Sequence, residues 1–494
     1  MDIKNHRLSL AYAPYIAAIL FFLPFILNNA AFNDDFYKQL WGESHFMQDG
    51  RPVAEVVLRI FSLSNFSVDN VAPLTWIVSI ILLGWVCTFL GNKLHAGNNT
   101  ILIFSSLIFC TPAFIENAFF KFDNLTMSIA ISFSVIASCI KIKSWGSFSL
   151  VCALCLGFLC SYQLAMTAYI ILSILMFVNE CMRGEDDRGN LLDILLKAIS
   201  LAVAFMVYAA LKSLMPISKY AMDQGSISAP VDILSIITPG FVKYTSLLLS
   251  IYDVLSLVAI AALAVISFLS VSLYALKKIR SNKSIYAYAS ALVMTISVPL
   301  SFIMIFAPLM ILKSQPDYLR LLIGLGAFVF MIAYFSYLSA SENRYAKVAV
   351  LTLALIPAVD AISKSYIINN AYAAQHSLTD GISIGVLNSL SSSGIDRVDE
   401  IKYTTHGPVS YETERVMKDY PFTRKILRGG YVAIPHWAGY EHQSKIKVGE
   451  WVTDKQNKDA CTGLQIARHL NYDVYVQNKI AFVDLTKERC KNFK

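Results

Sequence analysis

Residues 147–178 read SFSLVCALCLGFLCSYQLAMTAYIILSILMFV and contain no acidic or basic side chain. A bilayer core is crossed by about 20 apolar residues in a helix. The stretch is therefore too long for one ordinary span. It is interrupted once, at Ser161-Tyr162-Gln163. Two short helices meeting at that polar triplet account for it; a soluble helix, polar on one face, does not.

The rest of the chain agrees. Of 494 residues, 56 % are hydrophobic and 15 % charged, with a mean hydropathy of +0.55. A soluble domain carries about 25 % charge. This composition excludes a string of soluble domains over most of the chain, disorder, collagen-like repeats and a disulfide-dense scaffold. Candidate spans lie at roughly 10–31, 73–91, 100–115, 123–140, 146–160, 164–178, 191–214, 244–276, 284–307, 321–340 and 348–368, about 11 in all. The first lacks a small-residue cleavage site and is followed by further spans. It reads as a retained helix, kinked at Pro14 and Pro24, rather than a signal peptide. Segment 244–276 has two readings: one tilted helix, or a re-entrant piece followed by a span around Asp253.

The net charge is +7, without a basic run interleaved with aromatics, so a nucleic-acid partner is unsupported. Residues 364–494 hold 18 of the 41 Lys/Arg and 14 of the 34 Asp/Glu. That shift near Lys364 divides the chain into a multi-pass domain over 1–368 and a soluble domain over 369–494. The tail reads as mixed α/β: a helix over 411–418, a strand over 431–434, and a hairpin of 472–476 and 480–485 around Gln477-Asn478-Lys479. The positive-inside rule places the N-terminus in the cytoplasm, with Lys141, Lys143, Arg183, Arg188, Lys277 and Lys278 on the same side. Loop 32–72 and, with an odd span count, the C-terminal domain then lie outside. Seven of nine cysteines fall in or beside spans and read as packing residues. Cys461 and Cys490 lie in the tail. They form a disulfide if it is periplasmic, or remain free thiols in a reducing compartment.

The polar residues near span ends carry the chemistry. The first outer loop contains Asn33-Asp34-Asp35 and Lys38, then Asp49-Gly50-Arg51-Pro52. Asp34 or Asp35 suits a general base acting on a sugar hydroxyl, a divalent-cation site, or a pair of solvated loop acids. Arg51 suits a bidentate phosphate clamp or a simple turn. The second outer loop carries Glu116, Lys121 and Asp123. These suit sugar and phosphate contacts at a cavity, or a surface ion pair of Lys121 with Glu116 or Asp123; Asp123 also suits a helix N-cap. Gln163, at the break, suits a ligand contact or satisfies backbone exposed there. Arg320 suits a second phosphate contact or interfacial snorkelling. No nucleotide-binding glycine loop is present, which argues against a nucleotide-sugar donor. No cofactor requirement is visible, and the tail histidines, His406, His436, His442 and His469, lack zinc-site spacing.

In order along the chain, Asn33-Asp34-Asp35, Asp49-Gly50-Arg51-Pro52-Val53-Ala54, the segment from Pro112 to Asn117, Lys121-Phe122-Asp123-Asn124-Leu125-Thr126-Met127 and Ser161-Tyr162-Gln163 resemble the serotype-converting O-antigen glucosyltransferases of enterobacteria and their phages. The resemblance covers about the first 180 residues well and the remainder in outline. It implies an all-α polytopic membrane domain of the GT-C type with a mixed α/β periplasmic domain, in the bacterial inner membrane. It implies glucose transfer from undecaprenyl-phosphate glucose to a sugar of the lipid-linked O-antigen, with a small flippase and a lipid-loading glucosyltransferase as functional partners. On that reading Asp34 or Asp35 is the base. Arg51 and Arg320, with Lys38 or Lys121 in reserve, hold the phosphate, and Glu116, Asp123 and Gln163 orient sugar hydroxyls. The competing class is a transporter of lipid-linked sugars, against which stand the missing internal repeat and the large soluble tail. A lipid-linked transferase of another sugar is the third reading.

Overall fold

The polar triplet does break the helix. In the computed structural model, Trp145–Ser161 and Ala165–Met182 are separate helices joined through Tyr162, Gln163 and Leu164. The structure describes residues 11–64, 67–94, 99–228, 230–340, 343–393, 398–404, 407–427, 447–450, 461–487 and 490. The strand expected over 431–434 and the histidines His406, His436 and His442 lie outside the described residues. The chain divides into two units, one of Met1–Asn29 with Glu43–Tyr366, the other of Ala30–Gly42 with Ile367–Lys494.

The first unit is helical. Among the described residues six helices are long and apolar enough to cross a membrane: Leu74–Leu94, Ala165–Met182, Asp187–Ser213, Val254–Ser281, Ile285–Met304 and Arg344–Ser392, the last continuing into the second unit. A pair bent by 61°, Thr100–Ile108 and Pro112–Phe119, makes seven if counted as one span. Ala13–Asn28, Asp123–Cys139, Trp145–Ser161, Ser235–Ile251 and Gly324–Ser339 are apolar but shorter. The ambiguous segment 244–276 resolves as two helices, Pro230–Ile251 and Val254–Ser281, parted at Tyr252-Asp253. Pro14 sits in the first turn of Ala13–Asn28, where the absent N–H has no partner to lose, so only Pro24 interrupts the ladder.

Asp123–Cys139 runs through the middle, packed against Leu74–Leu94, Trp145–Ser161 and Ala165–Met182. It reads poorly as a lipid-facing span because Ser128, Ser132, Ser134 and Ser138 punctuate it. All four are buried, and each hydroxyl donates to a carbonyl of the preceding turn; Ser134 Oγ also reaches the Ala165 carbonyl at 2.9 Å. Small side chains let helices approach closely where lipid supplies no hydrophobic drive. Gly326 takes this furthest. A Cβ there would lie 1.9 Å from the Ile108 carbonyl oxygen.

Buried charge in the helical unit is paired. At one end Lys197 Nζ meets Asp193 at 3.0 Å and the Ser138 carbonyl at 2.8 Å, and Asp193 accepts the Ile142 N–H at 2.6 Å. Lys278 meets Asp187 there at 2.6 Å. A charge removed from water needs such complete pairing to survive.

Among the described residues the second unit carries a five-stranded sheet in the order β2-β1-β5-β4-β3, built from β1 Glu400–Tyr403, β2 Lys447–Glu450, β3 Leu464–Arg468, β4 Asp473–Gln477 and β5 Ile480–Asp484. The β4–β5 hairpin has the expected antiparallel register, Val474 opposite Val483 and Tyr475 opposite Phe482. The helix expected over 411–418 is Tyr411–Asp419, N-capped by the Ser410 hydroxyl. Strand β1 was not legible, because it pairs in parallel with both β2 and β5. Alternation along the hairpin sends Val474, Ala481 and Val483 into a core with Ile382, Val386 and Leu390 of the long helix. Tyr475 and Phe482 face the other way, against Cys490 and Cys461. Those two cysteines are joined by a disulfide with an S–S distance of 2.06 Å. Of the other seven cysteines, six are buried and Cys152 is half-buried.

Candidate functional site

In the first unit the predicted residues Arg51, Glu116, Lys121, Asp123, Gln163 and Arg320 all sit at helix ends or breaks, at the end of the bundle opposite Lys197. Gly50 sets the local geometry. Its φ of +73° is a left-handed conformation that glycine adopts without strain, and a Cβ would meet the Tyr208 hydroxyl at 2.9 Å. Its carbonyl instead accepts from Tyr208 Oη at 3.1 Å and from Gln163 Nε2 at 3.3 Å. Gln163 also donates to Tyr208 Oη at 2.7 Å. Gln163 thus ties down the first loop's backbone, not the break at which it sits.

This anchoring presents Arg51, the residue before helix Pro52–Ser62. Its Nη1 lies 3.6 Å from Asp123 Oδ2, and its guanidinium stands 5.2 Å from the centre of the Tyr162 ring. Its Nε is buried without a hydrogen-bond partner among the described residues. Asp123 occupies the first turn of Asp123–Cys139, where the helix dipole favours a carboxylate. The N-cap is Phe122, so the capping reading of Asp123 is corrected.

Arg320 follows the same scheme. It lies in the short turn Leu319–Leu321; its backbone N–H donates to Glu116 Oε2 at 3.1 Å and its Nε is 3.9 Å from Glu116 Oε1. Its guanidinium faces the rings of Phe120 at 4.7 Å and Tyr318 at 5.0 Å. Glu116, Lys121 and Asp123 are each 5 % exposed, so none belongs to a surface ion pair. The Lys121 carbonyl accepts from Thr75 Oγ1 at 2.8 Å and Asn124 Nδ2 at 3.0 Å, which closes the turn before Asp123–Cys139 over the helix Leu74–Leu94.

Tyr162 joins the two arginines and was missed as a functional candidate. Its ring is under Arg51 and its hydroxyl donates to the Arg320 carbonyl at 2.9 Å. Tyr208 was missed too, because it lies within an apolar span with no motif around it. Asn117 is wholly buried, and neither its amide oxygen nor its nitrogen has a hydrogen-bond partner among the described residues.

Asp34, Asp35 and Lys38 belong to the second unit. Asp34 is exposed and precedes the short helix Asp35–Trp41. Asp35 is fully buried and its Oδ2 accepts the Phe32 N–H at 3.3 Å; Lys38 is 4 % exposed. The long helix holds this segment. Tyr372 Oη donates to the Ala31 carbonyl at 2.5 Å, and His376, itself 3.1 Å from Asp380, stacks on Phe36 at 6.1 Å. Among the described residues no three His, Cys, Asp or Glu side chains gather as a metal site would require.

The family model for the glucosyl transferase GtrII family, described as "Glucosyl transferase GtrII", matches residues 16–332. An uncharacterized 55.3 kDa protein in the gtrB 5' region of Salmonella phage P22 is 23 % identical over 195 residues, 39 % of this chain and 40 % of the relative. The chain thus matches less than half the length of that relative. No solved structure matches. The match to the family model spans most of the chain, including every site residue named above in the helical unit, and the chain belongs to the GtrII glucosyl transferase family.

Proposed function

We propose that this chain transfers glucose from undecaprenyl-phosphate glucose to a sugar of the lipid-linked O-antigen, on the periplasmic face of the bacterial inner membrane. The observation that carries the reading is the convergence of Arg51 and Arg320 on Tyr162 at one end of the apolar bundle. A polyprenyl phosphate keeps its chain in the bilayer and its phosphate at the interface, so its enzyme needs cationic forks at span ends. The Arg51–Asp123 distance of 3.6 Å is longer than an N–H···O hydrogen bond, and the buried Nε–H is unspent. Asp123 and Glu116 orient the two forks, and Gln163 fixes the loop that carries Arg51. Lys38 and Lys121 are the reserve cations.

In the reaction, Asp34 or Asp35 accepts the proton of the acceptor hydroxyl. That oxygen attacks the anomeric carbon, the bond from that carbon to the phosphate oxygen breaks, and the arginines take up the charge gathering on the leaving phosphate. The chemistry needs no covalent sugar–enzyme intermediate. The topology of this reading has about 11 spans, a cytoplasmic N-terminus, a membrane domain over 1–368 and a periplasmic domain over 369–494. A small flippase and a lipid-loading glucosyltransferase supply the donor.

The test is expression with a source of undecaprenyl-phosphate glucose in a strain making a defined O-antigen. A hexose gain in the repeat unit, lost in the Asp34→Asn/Asp35→Asn double variant, supports donor, acceptor and base together. No mass change with the protein folded and the donor present overturns the assigned donor–acceptor pair and returns the transporter class to the field.

A further inference from the structure

The end of the bundle that holds Lys197 and Lys278 carries a polar cavity of about 420 Å3. It opens where the helices Ala165–Met182 and Val254–Ser281 end and Asp187–Ser213 and Ile285–Met304 begin. Two side chains of Val254–Ser281 pin its walls. Tyr274 Oη donates to the Met182 carbonyl, and Lys278 Nζ donates to the Cys181 carbonyl at 3.2 Å.

Three acids and three bases line the cavity, and they are unequally engaged. Glu185 meets Lys141, a residue outside the cavity, at 2.7 Å. Asp186 caps its helix, accepting the N–H groups of Arg188 at 3.3 Å and Gly189 at 3.0 Å. Asp187 meets Lys278 at 2.6 Å. Arg188 and Lys277 are left without an ion pair among the described residues. The Arg188 guanidinium stands 5.9 Å from the centre of the Tyr286 ring, which also lines the cavity. With every lining acid engaged elsewhere, the cavity presents two cations that lack a counter-ion. A concave site with a guanidinium fork and an ammonium fits a phosphate group.

Apolar surface leads away from it. Leu273 and Leu269 lie about one and two turns before Lys277 on the same face of Val254–Ser281, and they are 66 % and 54 % exposed. Ile285, beside Tyr286, is exposed as well. A free anion makes no use of that surface, whereas an amphiphile with a phosphate head and hydrocarbon chains uses both parts.

We infer that this cavity binds the phosphate of an anionic phospholipid in the adjoining leaflet, with Arg188 and Lys277 on the head group and the acyl chains along Leu273 and Leu269. Basic pockets between spanning helices recognise anionic head groups in this way. The site lies at the opposite end of the bundle from Arg51 and Arg320, and it does not depend on the donor proposed for them.

Full-length protein in detergent is titrated with phosphatidylglycerol, phosphatidylcholine or inorganic phosphate while its melting temperature is followed. A ligand of the folded state raises that temperature as it saturates its site. Phosphatidylglycerol should do so and the other two should not. In Arg188→Gln/Lys277→Gln the apparent affinity for phosphatidylglycerol should fall about 30-fold, with the lipid-free melting temperature unchanged. Each single variant should lower it about fivefold, which keeps the test in hand if the double variant does not fold. Lys143→Gln, an exposed cation two residues from Lys141 and outside the cavity, should keep wild-type affinity. Equal stabilisation by phosphatidylcholine overturns the inference, as does wild-type affinity in the folded Arg188 and Lys277 variants. A fall as large in Lys143→Gln also overturns it, since the lipid then reads general surface charge. Full stabilisation by inorganic phosphate overturns the lipid and assigns the cavity to a free anion.

Discussion

Tyr162 donates its hydroxyl proton to the carbonyl of Arg320, 158 residues further along the chain, at 2.9 Å. The same ring lies beneath Arg51. One residue at a helix break therefore touches the guanidinium of Arg51 and the backbone of Arg320, from distant segments. Removing only the hydroxyl, in Tyr162→Phe, forfeits about 0.5–1.5 kcal/mol of hydrogen bonding. The donor KM should rise a few-fold. Tyr162→Leu also removes the ring and should weaken transfer further. Steady-state kinetics with the undecaprenyl donor separates the two, and equal effects from both would show that the ring contributes nothing.

Arg51→Lys keeps the charge and loses the fork. If Arg51 clamps the phosphate in two places, kcat/KM falls about 10- to 100-fold, the loss of one charge-assisted bond. Arg51→Lys at wild-type kcat/KM would reduce the residue to a counter-ion for Asp123.

Asp34 and Asp35 differ in surroundings although adjacent. Asp34 is exposed, so Asp34→Asn should leave the melting temperature in detergent unchanged; Asp35 is buried against the Phe32 N–H. Whichever is the base, its Asn variant should transfer about 100- to 10,000-fold more slowly. Full rates in both single variants would place the base elsewhere.

Gly326→Ala tests the packing of the bundle. Its Cβ would stand 1.9 Å from the Ile108 oxygen, which cannot yield without moving backbone. Overpacking of this kind costs about 1–3 kcal/mol or more. Size-exclusion profile and melting temperature in detergent report the loss. Wild-type behaviour in both would mean that the two helices separate freely.

The Cys461–Cys490 bridge closes a loop with a sequence separation of 29. Chain-entropy reasoning gives it about 3–4 kcal/mol. The Cys461→Ser/Cys490→Ser variant should lower the stability of the sheet unit, followed by protease sensitivity of the tail. Identical gel mobility with and without reductant, together with identical protease resistance in the variant, would mean that the two thiols stay unpaired in the cell.

Apolar length and polar interruption are local properties, and both were legible. The run over 147–178 announced its own break, and the hairpin around Gln477-Asn478-Lys479 announced its turn. Charge at span ends pointed to Arg51, Glu116, Asp123 and Arg320, because an ionisable group beside a bilayer demands a reason. Pairing was not legible. Nothing near Arg51 in sequence says that it faces Asp123, or that Glu116 faces Arg320; surface pairs with Lys121 were equally consistent with spacing. Tyr162, Tyr208 and Asn117 drew no notice as site residues because an aromatic or an amide near a span is ordinary until its neighbours are known. Strand β1 escaped because a parallel strand is defined by partners far along the chain. The sequence by itself determined that most of the chain lies among apolar helices and that its chemistry sits at their ends, since bilayer thickness and desolvation act on each segment alone. Only the tertiary structure decided which ends meet, how Gly50 and Gln163 aim Arg51, and that Asp34 and Asp35 fold with the long helix of the second unit, since those depend on contacts between segments that no local pattern encodes.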